Sequence, residues 1–182
     1  MGGFLLYNEL MKWYAISGTW RYTNQEVEKD VREAVHKIIE KGDGIVTGAA
    51  YGVDAFAIEE ALDVDPTGKN VKSCIPVSPE SYIELFYKAE FDKKEVTESQ
   101  YKEMSELINK LVNANYSAFI FENDNSKVNL ETHLKQNDKI ISLCDELLAF
   151  QVNDSEGTQD AINKAKKLDK PVTVNKYSIN IE

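Results

Sequence analysis

Three glycine-bearing turns hold the residues best suited to chemistry: Ser17-Gly18-Thr19, Thr47-Gly48 through Gly52-Val53-Asp54, and Asn153-Asp154-Ser155-Glu156-Gly157-Thr158. Each joins glycine, which lets the backbone approach a ligand, to hydroxyl, amide or carboxyl side chains that can bond one. The second and third turns run straight into stretches of helical pattern. Unpaired N–H groups and the positive end of a helix dipole would then point at whatever lies above them, an environment that suits a phosphate. The candidate ligand residues are therefore Ser17, Gly18, Thr19, Gly48, Gly52, Asp54, Ser155, Gly157 and Thr158. The same residues also have a local use, because Asp54, Ser155 and Thr158 can cap helices and the glycines can serve tight turns.

Arg21 and the rings of Trp20, Tyr22 and Tyr51 lie in or beside the first two turns. Arg21 could pair with a phosphate and Tyr51 could stack on a base; a surface cation and half-buried rims are the alternatives. Glu59 and Glu60 could act as acid or base if they faced a cleft, but they also form the narrow polar side of an apolar helix. His36 and His133 have no ligand-like spacing to each other or to Cys74 and Cys144, so no metal site and no nucleophile and base pair is expected. No catalytic residue and no cofactor is assigned. The lysines at 164, 166, 167 and 170 belong to a helix end, where cations complement the dipole.

These turns need strands before them and helices after them, and the pattern supplies both. Apolar runs at 12–17, 44–47, 71–77, 117–121, 147–152 and 171–174 alternate with helical periodicity at 23–41, 54–62, 97–112, 130–144 and 157–168. That alternation predicts an α/β fold, a Rossmann-like three-layer arrangement with a mostly parallel central sheet and helices on both faces. Thr23 and Glu26 have capping-box spacing, as do Ser81 and Glu84. Gly42 should close the first helix. The helix at 54–62 is apolar around most of its circumference, which predicts burial on two sides and suggests a partner subunit. Residues 1–182 read as one domain with a less typical helical segment at 78–113, and 122–129 as a polar loop.

The run Gly44 to Leu62, GIVTGAAYGVDAFAIEEAL, resembles the segment of DprA/Smf-type DNA-processing proteins in which a strand, a glycine turn and an aspartate open an alanine-rich helix; Asp54 falls on that aspartate. The run Asp145 to Val174 is similar to the strand, Gly-Thr turn and helix that those proteins share with LOG-type phosphoribohydrolases in the SLOG superfamily. Gly157 and Thr158 fall on the Gly-Thr pair, and Asn137 on the asparagine of an Arg-Asn pair. The resemblance spans residues 12–62 and 129–176. It implies a Rossmann-like sheet, a nucleotide or nucleotide-like ligand at the glycine-rich edge and often a dimer.

The departures are chemical. Three residues beyond Thr158, where the hydrolases carry a catalytic glutamate, stands Ala161; beside Asn137, in place of arginine, stands Gln136; and Ile58 replaces a histidine common in the DprA-type helix. These favour a nucleotide-binding protein over a nucleoside-monophosphate phosphoribohydrolase, and that over a DprA-like DNA-processing accessory.

Composition agrees. The 182 residues carry 21 Lys and Arg against 31 Asp and Glu, a net charge of −10. That disfavours nucleic-acid binding through overall positive charge and leaves a small-molecule nucleotide or nucleoside phosphate as the expected partner. No apolar run approaches the roughly 20 residues of a membrane span. The start Met1-Gly2-Gly3-Phe4 lacks a signal pattern, and two cysteines far apart fit buried thiols, so a cytoplasmic protein is expected, while the resemblance and the apolar helix at 54–62 imply a homo-oligomer.

Overall fold

Short β-branched and aromatic runs separated by helices have one economical solution, a parallel sheet with right-handed helical crossovers. The computed structural model, which describes residues 10–122, 128 and 130–180, has this arrangement. The order along the chain is β1 (Trp13–Gly18), α1 (Gln25–Glu40), β2 (Gly44–Thr47), α2 (Val53–Val64), β3 (Val71–Cys74) and α3 (Pro79–Tyr82). A π-helical turn (Ile83–Tyr87) leads into α4 (Lys88–Asp92) and α5 (Glu98–Asn115). A 3₁₀ turn (Tyr116–Ala118) then precedes β4 (Phe119–Ile120), α6 (Leu130–Leu143), β5 (Glu146–Val152), α7 (Glu156–Lys167) and β6 (Val172–Tyr177).

All six strands are parallel, in the order β4-β3-β2-β1-β5-β6. The chain winds outward from β1 through β4 and then crosses to β5, so the direction of winding switches between β1 and β5. Ligands of such sheets sit outside the carboxyl ends at that switch. The strand alternation sorts the core into two faces. Ile16 packs with α1, α2, α5 and the π-helical turn, while Ala15 packs with Ile140 of α6 and Ala161, Ile162 and Ala165 of α7. The three-layer Rossmann-like architecture expected from the pattern is the one observed.

Several local expectations are corrected. The cap of α1 is Asn24, whose side chain accepts from the Val27 N–H at 3.0 Å, one residue beyond the expected Thr23. Asparagine is at least as good a cap and stands nearer the first buried position, Val27. The helix after β3 starts with Ser78 as cap and Pro79 in its first turn, not with Ser81. β3 ends at Cys74 and β6 continues to Tyr177, because β6 pairs with β5 as far as Val152. Gly42 does close α1 with a positive φ of 83°.

The apolar circumference of α2 is covered within the chain, between the sheet, α1 and α5, so its burial needs no partner subunit. Cys74 and Cys144 are buried free thiols. Among the described residues no helix is long and apolar enough to cross a membrane. The expected polar loop at 122–129 lies almost wholly outside the described residues.

Candidate functional site

The carboxyl ends of β2, β1 and β5 lie side by side, which brings the three predicted turns to one edge. The first two interlock. The Val53 N–H donates to the Thr19 carbonyl at 3.3 Å. A side chain on Gly18 would meet Val53 Cβ at 2.7 Å and the Phe150 carbonyl at 2.8 Å. Gly52 has φ +84°, and a Cβ there would lie 2.8 Å from the Thr19 carbonyl. Gly18 and Gly52 therefore let the start of α2 close over β1. Ser17 is half-buried and Thr19 buried beneath this contact.

Gly48 serves a different purpose. The position of a Cβ on it lies 2.6 Å from Asp54 Oδ2 and 2.5 Å from Gln136 Nε2, so a carboxyl from α2 and an amide from α6 meet over its bare Cα. Burial pushes the Asp54 carboxyl up to about 6, against hydrogen bonds from Thr47 and the Ala50 and Gly48 N–H groups that pull it down. Thr47 has one hydroxyl proton, and its Oγ1 lies 3.0 Å from the Ile16 carbonyl, which competes with Asp54 for it. Beneath the turn lie two buried tyrosines. Tyr87 donates to the Ala49 carbonyl, whereas the Tyr82 hydroxyl has no partner. Burial first, and the nearby Asp54 charge second, raise the Tyr82 hydroxyl well above its ordinary range.

The Gln136 amide is itself held. Its Oε1 lies 3.1 Å from His133 Nδ1, and the His133 ring packs edge-on against Phe86 at 5.3 Å. Burial lowers the His133 pKa, so the ring is neutral and one tautomer donates to Gln136. Gln136 also lines a cleft of about 230 Å³ at the carboxyl ends of β3 and β4. One wall of the cleft is apolar, made by Ile75, Pro76, Ile120 and Phe121. The other is one face of α6, presenting Thr132, Lys135, Gln136 and Lys139, with Lys135 paired to Glu131 at 3.1 Å, and Glu122 at the end of β4 completes the lining. Cys74 lies at its floor with its thiol pushed up to about 12 by burial, too high to be a nucleophile at neutral pH.

The third turn carries Asn153 and Asp154 in the left-handed region, with φ of 47° and 54°. Asn153 is tied to the chain after β6, donating to and accepting from the Ile179 backbone at 2.6 and 2.9 Å. Ser155 stands at the cap of α7 without bonding a backbone N–H, and Thr158 donates to its hydroxyl at 3.2 Å. A Cβ on Gly157 would meet nothing within 4 Å. The first turn of α7 thus opens on free space without a side-chain cap.

The other predicted residues lie apart from the Gly48 cluster. Arg21 sits 4.5 Å over the Trp20 ring and 3.6 Å from Glu95, and with Tyr22, Tyr51 and Gln100 it lines a second hollow of about 230 Å³. Asn137 donates to Asp160 at 3.1 Å, and Asp160 pairs with Lys164 at 3.0 Å. Ala161 is buried in the core beside β5. Glu59 and Glu60 turn to Arg32 and His36 of α1. Lys170 donates to the Ile141 carbonyl at 2.7 Å and the Cys144 carbonyl at 2.5 Å, closing the end of α6. Among the described residues no group of three or more His, Cys, Asp or Glu side chains could hold a metal.

Sequence singles out Gln136 only as the residue in place of an arginine and His133 only as lacking metal-ligand spacing, and it gives Tyr82, Tyr87 and the α6 face as a whole no role. The α6 face was readable, since 132, 135, 136 and 139 share one side of a helix. The tyrosine pair was not, because positions five apart align only across a π turn.

No known protein family and no curated protein matches the chain. Solved structures do. DNA processing protein A from Helicobacter pylori, described as having a unique single-stranded DNA binding mode, superposes with a TM-score of 0.64 at 20% identity, over 90% of this chain and 64% of that one. The chain has the DprA-like Rossmann fold. The structural-genomics target TM1055 superposes with a TM-score of 0.53 at 14% identity, over 89% of this chain and 72% of that one. At these identities the likeness establishes the DprA-like fold, and the chain spans a little under two thirds of the Helicobacter pylori protein.

Proposed function

We propose that the chain binds a nucleotide or nucleotide-derived ligand at the carboxyl edge of the sheet. The observation that carries this reading is the cleft between β3, β4 and α6. It joins an apolar wall suited to a ring with an amide and two lysines on one helix face, and it adjoins the Gly48 turn through Gln136. Ligands of open α/β sheets bind outside the carboxyl ends of the strands, and this cleft lies there, two strands from the switch between β1 and β5. A phosphate has two anchors within the same edge, the lysine-bearing rim and the uncapped first turn of α7 at Ser155, Gly157 and Thr158. The fold is shared with a protein described as binding single-stranded DNA, a polymer of nucleotides, which supports the reading.

Calorimetric titration with nucleoside mono-, di- and cyclic phosphates tests it, on the wild type, Lys139→Ala and Gly157→Asp. Saturable binding is expected, reduced about tenfold or more in whichever variant removes the phosphate anchor. Gly157→Asp suits the comparison because an acidic residue in a first helical turn does not harm the helix. Failure of every nucleotide to bind the wild type would discard the reading.

One observation favours a second reading, hydrolysis of the N-glycosidic bond of a nucleoside monophosphate. Asp54 has its carboxyl near 6, where an acid or base works well at neutral pH. The α7 carboxylate route is closed, since Asp160 is paired and Ala161 is buried. Free base released during incubation with monophosphates, and abolished by Asp54→Asn, would establish the hydrolase; a pure binder releases none.

A further inference from the structure

We propose that Gln136 is the specificity-determining residue of this site, and that its amide together with the Asp54 carboxyl reads the edge of an amino-bearing nucleobase lying against the apolar wall of the cleft. The proposal rests on the nucleotide-binding reading and assigns which end of the ligand goes where.

Both groups converge on Gly48, 2.5 and 2.6 Å from the place a Cβ would occupy, so any other residue there would push them apart. The amide is oriented. With Oε1 committed to His133, its N–H groups face Gly48 and Asp54. What the pair offers is therefore one donor beside one acceptor. An exocyclic amino group next to a ring nitrogen, as in adenine or cytosine, presents the complementary acceptor and donor; an oxo group beside a ring N–H presents the opposite order.

The charges sort the ligand in the same direction. A phosphate placed at Gly48 would meet the Asp54 carboxylate, and like charges at that separation repel strongly in a buried setting. Among the described residues of the cleft the charged side chains, Lys135, Lys139 and Glu122, are exposed, while Gln136 is half-buried. A neutral edge belongs inside and an anion outside. The wall made by Ile75, Pro76 and Phe121 supplies the apolar face against which a planar ring loses little on leaving water. The Tyr82 hydroxyl, buried without a partner in the electrostatic reach of Asp54, is unspent hydrogen-bonding capacity behind that carboxyl and outside the cleft lining.

Matched pairs of ligands test this. AMP and IMP differ by amino against oxo, as do CMP and UMP, and ribose 5-phosphate lacks the base. Calorimetry on the wild type should give AMP tighter than IMP and CMP tighter than UMP by about tenfold, with ribose 5-phosphate near the weaker members. Gln136→Leu and Gln136→Met, which remove the amide without adding charge, should erase the amino preference while leaving the affinity for ribose 5-phosphate within about twofold. Their melting temperatures show whether the fold is kept, and the ribose 5-phosphate affinity is the control that a merely structural role would also disturb. Equal affinity within both wild-type pairs, or an amino preference that survives Gln136→Leu, overturns the assignment. If all five ligands bind alike, nucleotide binding stands and the role of Gln136 falls; if none binds, both fall.

Discussion

At Asp54 the cost of function can be read as a titration. Its carboxyl is raised to about 6 by burial, so the folded protein holds the proton more tightly than the unfolded chain does. That contribution to stability is complete below the unfolded value near 4 and is lost as the pH climbs through 6. Asp54→Asn keeps an acceptor for the Ala50 N–H and removes the charge. The variant should match wild type in urea unfolding near pH 4 and exceed it above pH 6, by up to about 3 kcal/mol; a difference independent of pH would refute the assignment. The two tyrosines give a second contrast. Tyr82→Phe removes a hydroxyl that has no partner and should be neutral or stabilising by about 1 kcal/mol. Tyr87→Phe strands the Ala49 carbonyl and should cost about 1 kcal/mol or more. Equal thermal shifts for the two would show that the hydroxyls are not differently bonded.

Among the elements, the glycine turns divide into those that let helices close on the sheet and one that faces open space. A Cβ on Gly18 would sit 2.4 Å from Val53 Cγ2 and 2.8 Å from the Phe150 carbonyl, and the second neighbour is backbone that cannot swing away. Gly18→Ala should therefore move α2 off β1 and cost roughly 2–4 kcal/mol. Gly157 lies in the first turn of α7 with nothing near its Cβ position, so Gly157→Ala should stabilise by about 0.5–1 kcal/mol. Thermal melts of the two variants decide the point, and a large loss in Gly157→Ala would mean the turn is tighter than its geometry. Both glycines look alike in sequence, each followed by a threonine in a turn after an apolar run. What separates them is whether a neighbouring element passes overhead, and only the sheet order supplies that.

For the molecule as a whole, the legible part was whatever depends on local pattern. The α1 stripe of Val27, Val31 and Val35, the strand and turn at 44–54 and the Gly42 cap follow from periodicity and turn chemistry, and they are enough to give a parallel three-layer fold. The site depended instead on contacts between residues distant in the chain. Gln136 reaches Gly48 across 88 positions, and the π turn that aligns Tyr82 with Tyr87 has no signature in a pattern of 3.6. Charge is the remaining whole-molecule property, and it separates this chain's expected behaviour from that of the DNA-binding protein whose fold it shares. With a net charge of −10, and with its lysines at 164 and 170 spent on carboxylates and helix carbonyls, it has little cation to offer a polyanion. Binding to single strands that rests on phosphate contacts releases counterions, and its affinity falls as a power of salt concentration. A gel shift with a single-stranded oligonucleotide should therefore give at most a weak complex at about 50 mM salt and none at about 200 mM. A complex that survives the higher salt would have to be held by stacking in the cleft or in the Trp20 and Tyr51 hollow, which Gln136→Leu and Tyr51→Ala would tell apart, and would make single strands the partner in place of a mononucleotide.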